Sequence, residues 1–211
     1  PARYGHSAFA CRGRMWVVGG ATVGRFTNDV WFSEDGSHWE CAVEKAAWPV
    51  RTGAACFVKD DQMWIAGGAG LTDSDKAYYL NDVWTSRDGG MWNKVIDTAP
   101  WSKRTSMAYA VHDEKMWILG GSNGVQRNDV WYSENGKQWK QATPRAAWST
   151  RFGHAAISYE DRLWILGGQQ AGPRLNDVWS SQDGKTWVRQ SEQADWAKRS
   201  SAAAVSHHGN M

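Results

Sequence analysis

Apolar and polar positions follow one order that recurs four times along the chain. Each recurrence contains four consecutive apolar residues with a tryptophan at the second position, followed directly by two glycines. These apolar runs span residues 15–18, 63–66, 116–119 and 163–166. Four apolar residues in a row, bounded by glycine, predict a short strand that is buried on both faces.

The sixteen tryptophans and a set of regularly placed arginines define the length of the repeat. Each tryptophan belongs to one of four columns, with one member in each repeat. In order along the repeat, the columns are Trp16, Trp64, Trp117 and Trp164; Trp31, Trp84, Trp131 and Trp179; Trp39, Trp92, Trp139 and Trp187; and Trp48, Trp101, Trp148 and Trp196. Arginine recurs after each fourth-column tryptophan, which gives a period of about 50 residues and indicates a repeat architecture.

Each repeat carries signals for three further strands. Small apolar residues precede the tryptophan run, an Asp-Val-Trp segment follows the glycine pair, and a fourth strand begins at the third tryptophan. Asp-Gly or Asn-Gly separates the last two strands, and this pair predicts a hairpin because both residues tolerate positive φ. These turns are Asp35-Gly36, Asp88-Gly89, Asn135-Gly136 and Asp183-Gly184. Four antiparallel strands per repeat predict an all-β propeller built of four-stranded blades.

The motifs resemble the kelch repeat over the whole chain. The matching features are the double glycine after a hydrophobic run, the aromatic residue in strand three and the tryptophan in strand four. The hairpins also resemble a shortened Asp-box, which occurs in sialidase-like propellers, and residues 181–187 match it best. The resemblance implies a kelch-type β-propeller, a fold that serves as a binding module, a scaffold or the body of an enzyme.

The repeats divide the chain into predicted blades. We expect one kelch-type propeller segment over residues 1–211, with blades at 3–50, 51–103, 104–150 and 151–198. Residues 199–211 are expected to form the first strand of a further blade. Closed kelch rings usually contain more than four blades, so the segment is predicted to belong to a larger propeller. The alternative is that two chains complete one ring.

Charge and hydropathy argue against two classes of partner. The chain has 24 Lys and Arg against 22 Asp and Glu, a formal net charge of +2, so nucleic-acid binding is not expected. No apolar run approaches the roughly 18 residues that a membrane span requires. Cys11, Cys41 and Cys56 are predicted to be free thiols. They leave the compartment open, with an extracellular or periplasmic location preferred.

Sequence variation between repeats concentrates at one edge of the predicted blades, where the loops between strands two and three and the blade connections lie. The candidates there that the repeat does not dictate are Arg25, Tyr78, Tyr79, Arg127 and Arg174. The repeated candidates at the same edge are Arg51, Arg104, Arg151, Trp48, Trp101 and Trp148. Clustered guanidinium groups bind carboxylate, sulfate or phosphate through paired hydrogen bonds. The expected ligand is therefore a protein segment or an anionic glycan.

Two interpretations of the repeated residues are open. The arginine column either contacts a ligand or serves the blade, by binding backbone carbonyls or by stacking on the preceding tryptophan. The fourth tryptophan column lies in loops, so Trp148 is expected to be less buried than Trp117 of the first column. The Asn-Asp pairs that precede the second column are expected to fix the variable loop through side-chain hydrogen bonds.

The sequence favours a non-enzymatic recognition or scaffold module, because it shows no catalytic residue, metal-ligand set or cofactor motif. The alternative is the propeller portion of a carbohydrate-active enzyme. The kelch resemblance supports this alternative in one respect, since kelch-type sialic acid epimerases use arginines against a carboxylate. Kelch copper oxidases require a Tyr, His and Cys constellation that has no counterpart in these motifs.

We predict that the isolated 211-residue chain associates with itself. An incomplete ring leaves the tryptophan-rich faces of its first and last blades uncovered, and apolar patches of that size promote association. Light scattering at micromolar concentration is expected to show dimers or larger species. A stable, soluble monomer would contradict the prediction.

Overall fold

The computed structural model describes residues 1–72, 74, 76–207 and 209–211, and every regular element within them is a β-strand. Sixteen strands form four antiparallel sheets, each of four strands taken in consecutive order along the chain. The chain divides into two compact units, Pro1–Thr105 and Ser106–Met211, with two sheets in each. The predicted all-β fold with four four-stranded repeats is confirmed.

The strand bounds follow the repeat. In the first unit they are β1 (Ser7–Cys11), β2 (Arg14–Thr22), β3 (Arg25–Ser33), β4 (Glu40–Val43), β5 (Ala55–Lys59), β6 (Gln62–Leu71), β7 (Ala77–Ser86) and β8 (Asn93–Ile96). In the second unit they are β9 (Ala108–His112), β10 (Lys115–Ser122), β11 (Gln126–Ser133), β12 (Lys140–Thr143), β13 (Ala155–Tyr159), β14 (Arg162–Gln169), β15 (Arg174–Ser181) and β16 (Val188–Ser191).

The glycine pair produces a β-bulge in the second strand of every sheet. In β2 the register with β3 shifts between Val18 and Gly20, and the same shift recurs in β6, β10 and β14. Gly19 and Gly20 have φ values of 59° and 99°, a left-handed region that L side chains rarely adopt. A Cβ on Gly20 would also lie 2.8 Å from the Cβ of His6. The bulge therefore requires glycine for both conformation and space.

The hairpins between the third and fourth strands share one hydrogen-bond pattern. In the first sheet, the Asp35 carboxylate accepts hydrogen bonds from the backbone N–H groups of Ser37 and His38. The Ser33 hydroxyl accepts from the N–H of Gly36, whose carbonyl in turn accepts from the indole of Trp39. The serine, aspartate or asparagine, glycine and tryptophan of each repeat therefore form one local unit that sets the turn.

Three members of the fourth tryptophan column are more deeply buried than any other tryptophan, and the prediction that Trp148 lies at a less buried rim is wrong. Trp48, Trp101 and Trp148 are each 1% exposed. Trp48 meets Trp92 edge-on with ring centroids 5.9 Å apart, and Trp148 meets Trp187 at the same distance. In both cases a third-column tryptophan of the following sheet covers the fourth-column ring. The contact joins two repeats, so the sequence of one repeat does not predict it.

Two tryptophans are exposed, unlike the other members of their columns. Trp39 is 39% exposed and Trp196 is 36% exposed, whereas their column partners are buried. After Trp196, Arg199 pairs through its backbone with Leu175, as Arg151 does with Arg127. No strand is assigned to the described residues of 199–211. Their assignment as the first strand of a further blade, like the blade boundaries, stays a prediction.

His154 is a buried imidazole without a hydrogen-bond partner among the described residues. Its side chain packs against the Trp148 ring, with centroids 5.6 Å apart, and the residue is 5% exposed. Burial, together with the nearby Arg151 guanidinium, lowers the pKa of His154 well below its usual value of 6.5. The imidazole is therefore neutral in the folded protein at pH values where an unfolded chain would protonate it.

We predict that Trp148→Ala destabilises the protein by about 3–5 kcal/mol, the usual cost of deleting a buried aromatic side chain. Trp117→Ala is expected to cost a similar amount, because Trp117 is also buried. Trp196→Ala is the matched control and should cost clearly less, since its ring is partly exposed. Denaturant titration measures the three values. A small loss for Trp148→Ala would show that its ring is not part of the core.

We predict that His154 makes stability fall at acidic pH. Because the folded-state pKa is depressed, the unfolded chain binds a proton first, and stability is lost as pH falls below about 6.5. Between pH 7.5 and 5.5, wild type should lose about 1 kcal/mol more than His154→Met. Methionine is the matched replacement, since Met107 fills this repeat position in the third sheet. Parallel pH profiles for the two proteins would contradict the prediction.

Candidate functional site

Each sheet has one edge at which the candidate residues lie, here called the loop edge. It consists of the loop between the sheet's second and third strands and the segment that follows its fourth strand. Because neighbouring strands are antiparallel, these two segments meet at the same end of the sheet. The opposite end carries the tight turns, including the Asp-Gly and Asn-Gly hairpins.

The repeated arginines at this edge are buried. Arg51, Arg104 and Arg151 are between 0 and 1% exposed. Arg51 forms a two-pronged ion pair with Asp82, at 2.9 and 2.8 Å, and Arg151 forms the same pair with Asp177. In both pairs the guanidinium also donates to the carbonyl of the first bulge glycine. These contacts fit the interpretation in which the arginine column stabilises the blade, not the one in which it contacts a ligand.

Arginine and aspartate stabilise each other's charged state. Burial by itself would raise the pKa of Asp177, but the hydrogen bond and charge of Arg151 outweigh it and hold that pKa below its usual value. The Trp179 indole donates a further hydrogen bond to the same carboxylate. A carboxylate that accepts from both groups is committed to the fold, so Asp177 is not available as an acid or base.

The repeated asparagines hold the segment that follows each sheet. The Asn28 side-chain amide donates to the carbonyls of Ala46 and Trp48, both at 3.0 Å. Asn81, Asn128 and Asn176 make the equivalent pairs of bonds. The Asn-Asp pairs are expected from the sequence to fix the variable loop between the second and third strands, and this expectation is wrong. They fix the connection after the fourth strand and the arginine column instead.

The repeated tryptophans offer no surface to a ligand in this structure. Trp48, Trp101 and Trp148 are buried beneath neighbouring side chains, and the guanidinium carbons of Arg51 and Arg151 lie 5.6 and 5.8 Å from the ring centroids of Trp48 and Trp148. Six of the eleven candidate residues therefore belong to the buried framework of the edge.

The five candidates outside the repeat pattern lie at or near the surface. Arg25 and Arg174 are exposed at the starts of β3 and β15. Arg127, Tyr78 and Tyr79 are half-buried in β11 and β7. The Tyr78 hydroxyl donates to the carbonyl of Val50 at 2.9 Å, so Tyr78 has a structural role as well.

A groove of about 450 Å³, here called the first groove, opens at the loop edge of the first sheet. Arg25 and Lys45 line it from opposite segments of that edge, and Asp29, Glu44 and Cys41 contribute further polar groups. The Asp29 carboxylate is already held by a two-pronged ion pair with Arg3.

A second groove, of about 340 Å³, occupies the equivalent place in the third sheet. Arg127 and Arg145 line it together with Gln126, Gln141 and Pro144. Apart from the proline, these side chains are all polar. The arrangement places two guanidinium groups at one polar surface, which suits an anionic ligand.

Sequence reasoning missed Lys45 and Arg145. Both stand immediately before the alanine that is bonded to the repeated asparagine, at a repeat position that Thr98 and Gln193 fill elsewhere. Alignment of the four repeats at this position would have revealed a basic residue in the first and third repeats only. In the first repeat this basic residue, Lys45, lines the same groove as Arg25. In the third repeat Arg145 lines the same groove as Arg127.

The described residues contain no group of three or more His, Cys, Asp or Glu side chains placed to hold a metal ion. Within that same part of the chain, no helix is long and apolar enough to cross a membrane. The chemistry visible at the loop edges is hydrogen bonding and charge.

Comparison with known proteins identifies the family. The family model of the KLHDC2/KLHL20/DRC7 kelch-repeats domain matches residues 1–146. The solved structure of YjhT is similar in fold, with a TM-score of 0.78 and 17% sequence identity, and the match covers 95% of this chain and 73% of that one. No curated protein matches the sequence. The sheets, the glycine bulges and the family match lead to one conclusion: this chain belongs to the kelch-repeat β-propeller family.

Proposed function

We propose that the protein is a non-enzymatic recognition module whose loop edges bind an acidic segment of a partner protein. The kelch propeller fold is compatible with binding, scaffolding and enzymatic roles, so the proposal depends on the chemistry of the edges. One observation carries it. The repeated arginines Arg51, Arg104 and Arg151 are buried, and aspartate neutralises Arg51 and Arg151. Arg25 and Arg174, which the repeat does not dictate, are exposed instead.

Arg25 and Arg174 are exposed, and neither forms an ion pair with a described residue. Their charges are exposed to solvent at the loop edges, where the loops also differ in length from one repeat to the next. Variable loops on a constant scaffold are the usual location of recognition residues. Guanidinium groups in this position attract carboxylates over the Debye length and then bind them through paired hydrogen bonds.

An anionic glycan is the second ligand class with the required charge. Small-molecule sites are lined mainly by apolar and aromatic side chains, and the second groove has only Pro144 of that kind. The chemistry of that groove therefore favours a protein segment. Sialylated and sulfated glycans enter the test below as separate ligands.

The carbohydrate-active enzyme is the alternative from the sequence, and it needs an acid or base at the edge. Asp29 and Glu44 are the carboxylates that line the first groove. Asp29 accepts hydrogen bonds from Arg3 and Trp31, which lower its pKa against the opposing effect of burial. This leaves Glu44 as the carboxylate through which an enzymatic role could be tested.

We predict that replacing Arg25, Arg127 and Arg174 together with alanine weakens binding to an acidic peptide at least tenfold. The melting temperature should change little, because exposed substitutions such as those at Arg25 and Arg174 usually alter stability by no more than about 0.5 kcal/mol each. Arg127 is half-buried but has no ion pair with a described residue to lose. Wild-type affinity should fall as salt is added, since exposed charges are screened. Fluorescence anisotropy with a labelled hexaglutamate peptide measures the loss of affinity and its dependence on salt.

Two controls separate charge from folding. Arg87, Lys137 and Lys185 are exposed in the hairpin turns at the opposite end of their sheets, and their triple alanine variant removes the same formal charge. It should bind like wild type. Arg151→Ala breaks a buried ion pair and should cost about 3–5 kcal/mol of stability. If the loop-edge triple variant binds peptide and both glycans as wild type does, the proposed function is wrong.

A further inference from the structure

The second groove contains a guanidinium nitrogen that the protein itself does not satisfy. Arg127 lies in β11, and its backbone carbonyl accepts a hydrogen bond from the N–H of Arg151. Its side-chain Nε is buried and has no hydrogen-bond partner among the described residues. Buried polar atoms are nearly always satisfied, so an unpaired one calls for an explanation. The protein thus supplies no acceptor to Arg127 at this atom, and the groove that the side chain lines is the place where an anion can reach the rest of its guanidinium.

The carboxylate nearest in sequence does not supply that acceptor. Asp129 also lines the second groove, and its Oδ2 accepts the indole N–H of Trp131 at 2.8 Å. No ion pair joins Arg127 to any described residue. Arg127 therefore differs from Arg3, Arg51 and Arg151, each of which is matched by a bidentate aspartate.

Arg145 brings a second positive charge to the same groove on a segment whose backbone is held in place. Its N–H donates to the Thr143 hydroxyl at 3.3 Å, and the next residue, Ala146, is bonded twice to Asn128. The segment is thus fixed before any ligand arrives, which limits the entropy lost on binding.

We propose that Arg127 and Arg145 form a site for one carboxylate side chain, a glutamate or aspartate of an extended partner segment. Gln126 and Gln141 line the same groove, and their side-chain amides can donate hydrogen bonds to the same ligand. A planar guanidinium matches the geometry of a carboxylate through two parallel N–H···O bonds. This proposal rests on the proposed function and places the acidic side chain of the partner in the second groove.

The first groove provides the internal comparison. Lys45 occupies the position of Arg145 there, and Arg25 supplies the second positive charge from a different position of the strand. Glu44 lines the same groove and reduces its net charge. The second groove has Pro144 at the position of Glu44. A carboxylate ligand should therefore prefer the second groove, because the first already contains a like charge beside its lysine.

The test measures binding of an acetylated, amidated hexaglutamate peptide to the 211-residue chain by fluorescence anisotropy. Arg145→Ala is the main variant, because Arg145 is exposed and its removal should not affect folding. We expect affinity to fall at least tenfold, with an unchanged melting temperature. Arg127→Gln should give a comparable loss, and Arg145→Lys a partial one, since lysine keeps the charge without the two-pronged geometry.

Lys137→Ala is the matched control, since it removes one exposed charge from the opposite end of the same sheet. It should leave affinity within twofold of wild type. If wild type binds the peptide and Arg25→Ala or Arg174→Ala weakens it while Arg145→Ala does not, the groove assignment is wrong but the loop-edge function stands. If wild type does not bind the peptide, both fail.

A second peptide tests the ligand chemistry. An otherwise neutral peptide with a single glutamate should bind, and Arg145→Ala should abolish this binding. Guanidinium groups accept either anion, so binding of the phosphoserine counterpart alone, lost in Arg145→Ala, would overturn the carboxylate assignment and identify a phosphate site. Inorganic phosphate at millimolar concentration should displace the hexaglutamate peptide only slightly.

Discussion

The buried pairing of arginine with aspartate is the interaction on which the blade depends. In the second sheet, Arg51 reaches Asp82 of the third strand and the carbonyl of Gly67 in the second strand, while its Nε donates to the carbonyl of Pro49. Its own backbone carbonyl accepts the N–H of Gly20 from the preceding sheet. One residue thereby connects two strands of its own sheet, the entering loop and the sheet before it.

Such a pair is stable only because its hydrogen-bonding capacity is used. Removing two charges from water costs several kcal/mol for each ion, and the attraction between them offsets this cost only with good geometry and further hydrogen bonds. The carbonyls around Arg51 and the Trp84 indole on Asp82 supply those bonds. The glycine bulge is part of the same arrangement, because it turns the Gly67 carbonyl toward the guanidinium and the next N–H toward the neighbouring sheet.

The loop edges contain two layers of residues, one buried with paired charges and one at the surface. The repeated arginines, asparagines and tryptophans form a buried layer whose charges are largely compensated, so they contribute little to the surface potential. Above it lie residues that differ from one repeat to the next, including Arg25, Arg174 and Arg145. Recognition chemistry can change in this outer layer without disturbing the ion pairs beneath it. That separation is the physical reason for proposing a ligand site at Arg127 and Arg145 rather than at Arg104 or Arg151.

The sequence by itself determined the repeat, the four strands in each unit and the hairpin turns, because these depend on local patterns and on residues such as Gly36 whose backbone freedom is intrinsic. It also identified Arg25, Arg127 and Arg174 as departures from the repeat. Only the tertiary structure decided that Trp148 is core, since Trp187 and His154 of the next sheet cover it. Only the structure placed Arg145 in one groove with Arg127. Burial and side-chain proximity depend on segments distant in sequence, and a periodic pattern does not specify which of them meet.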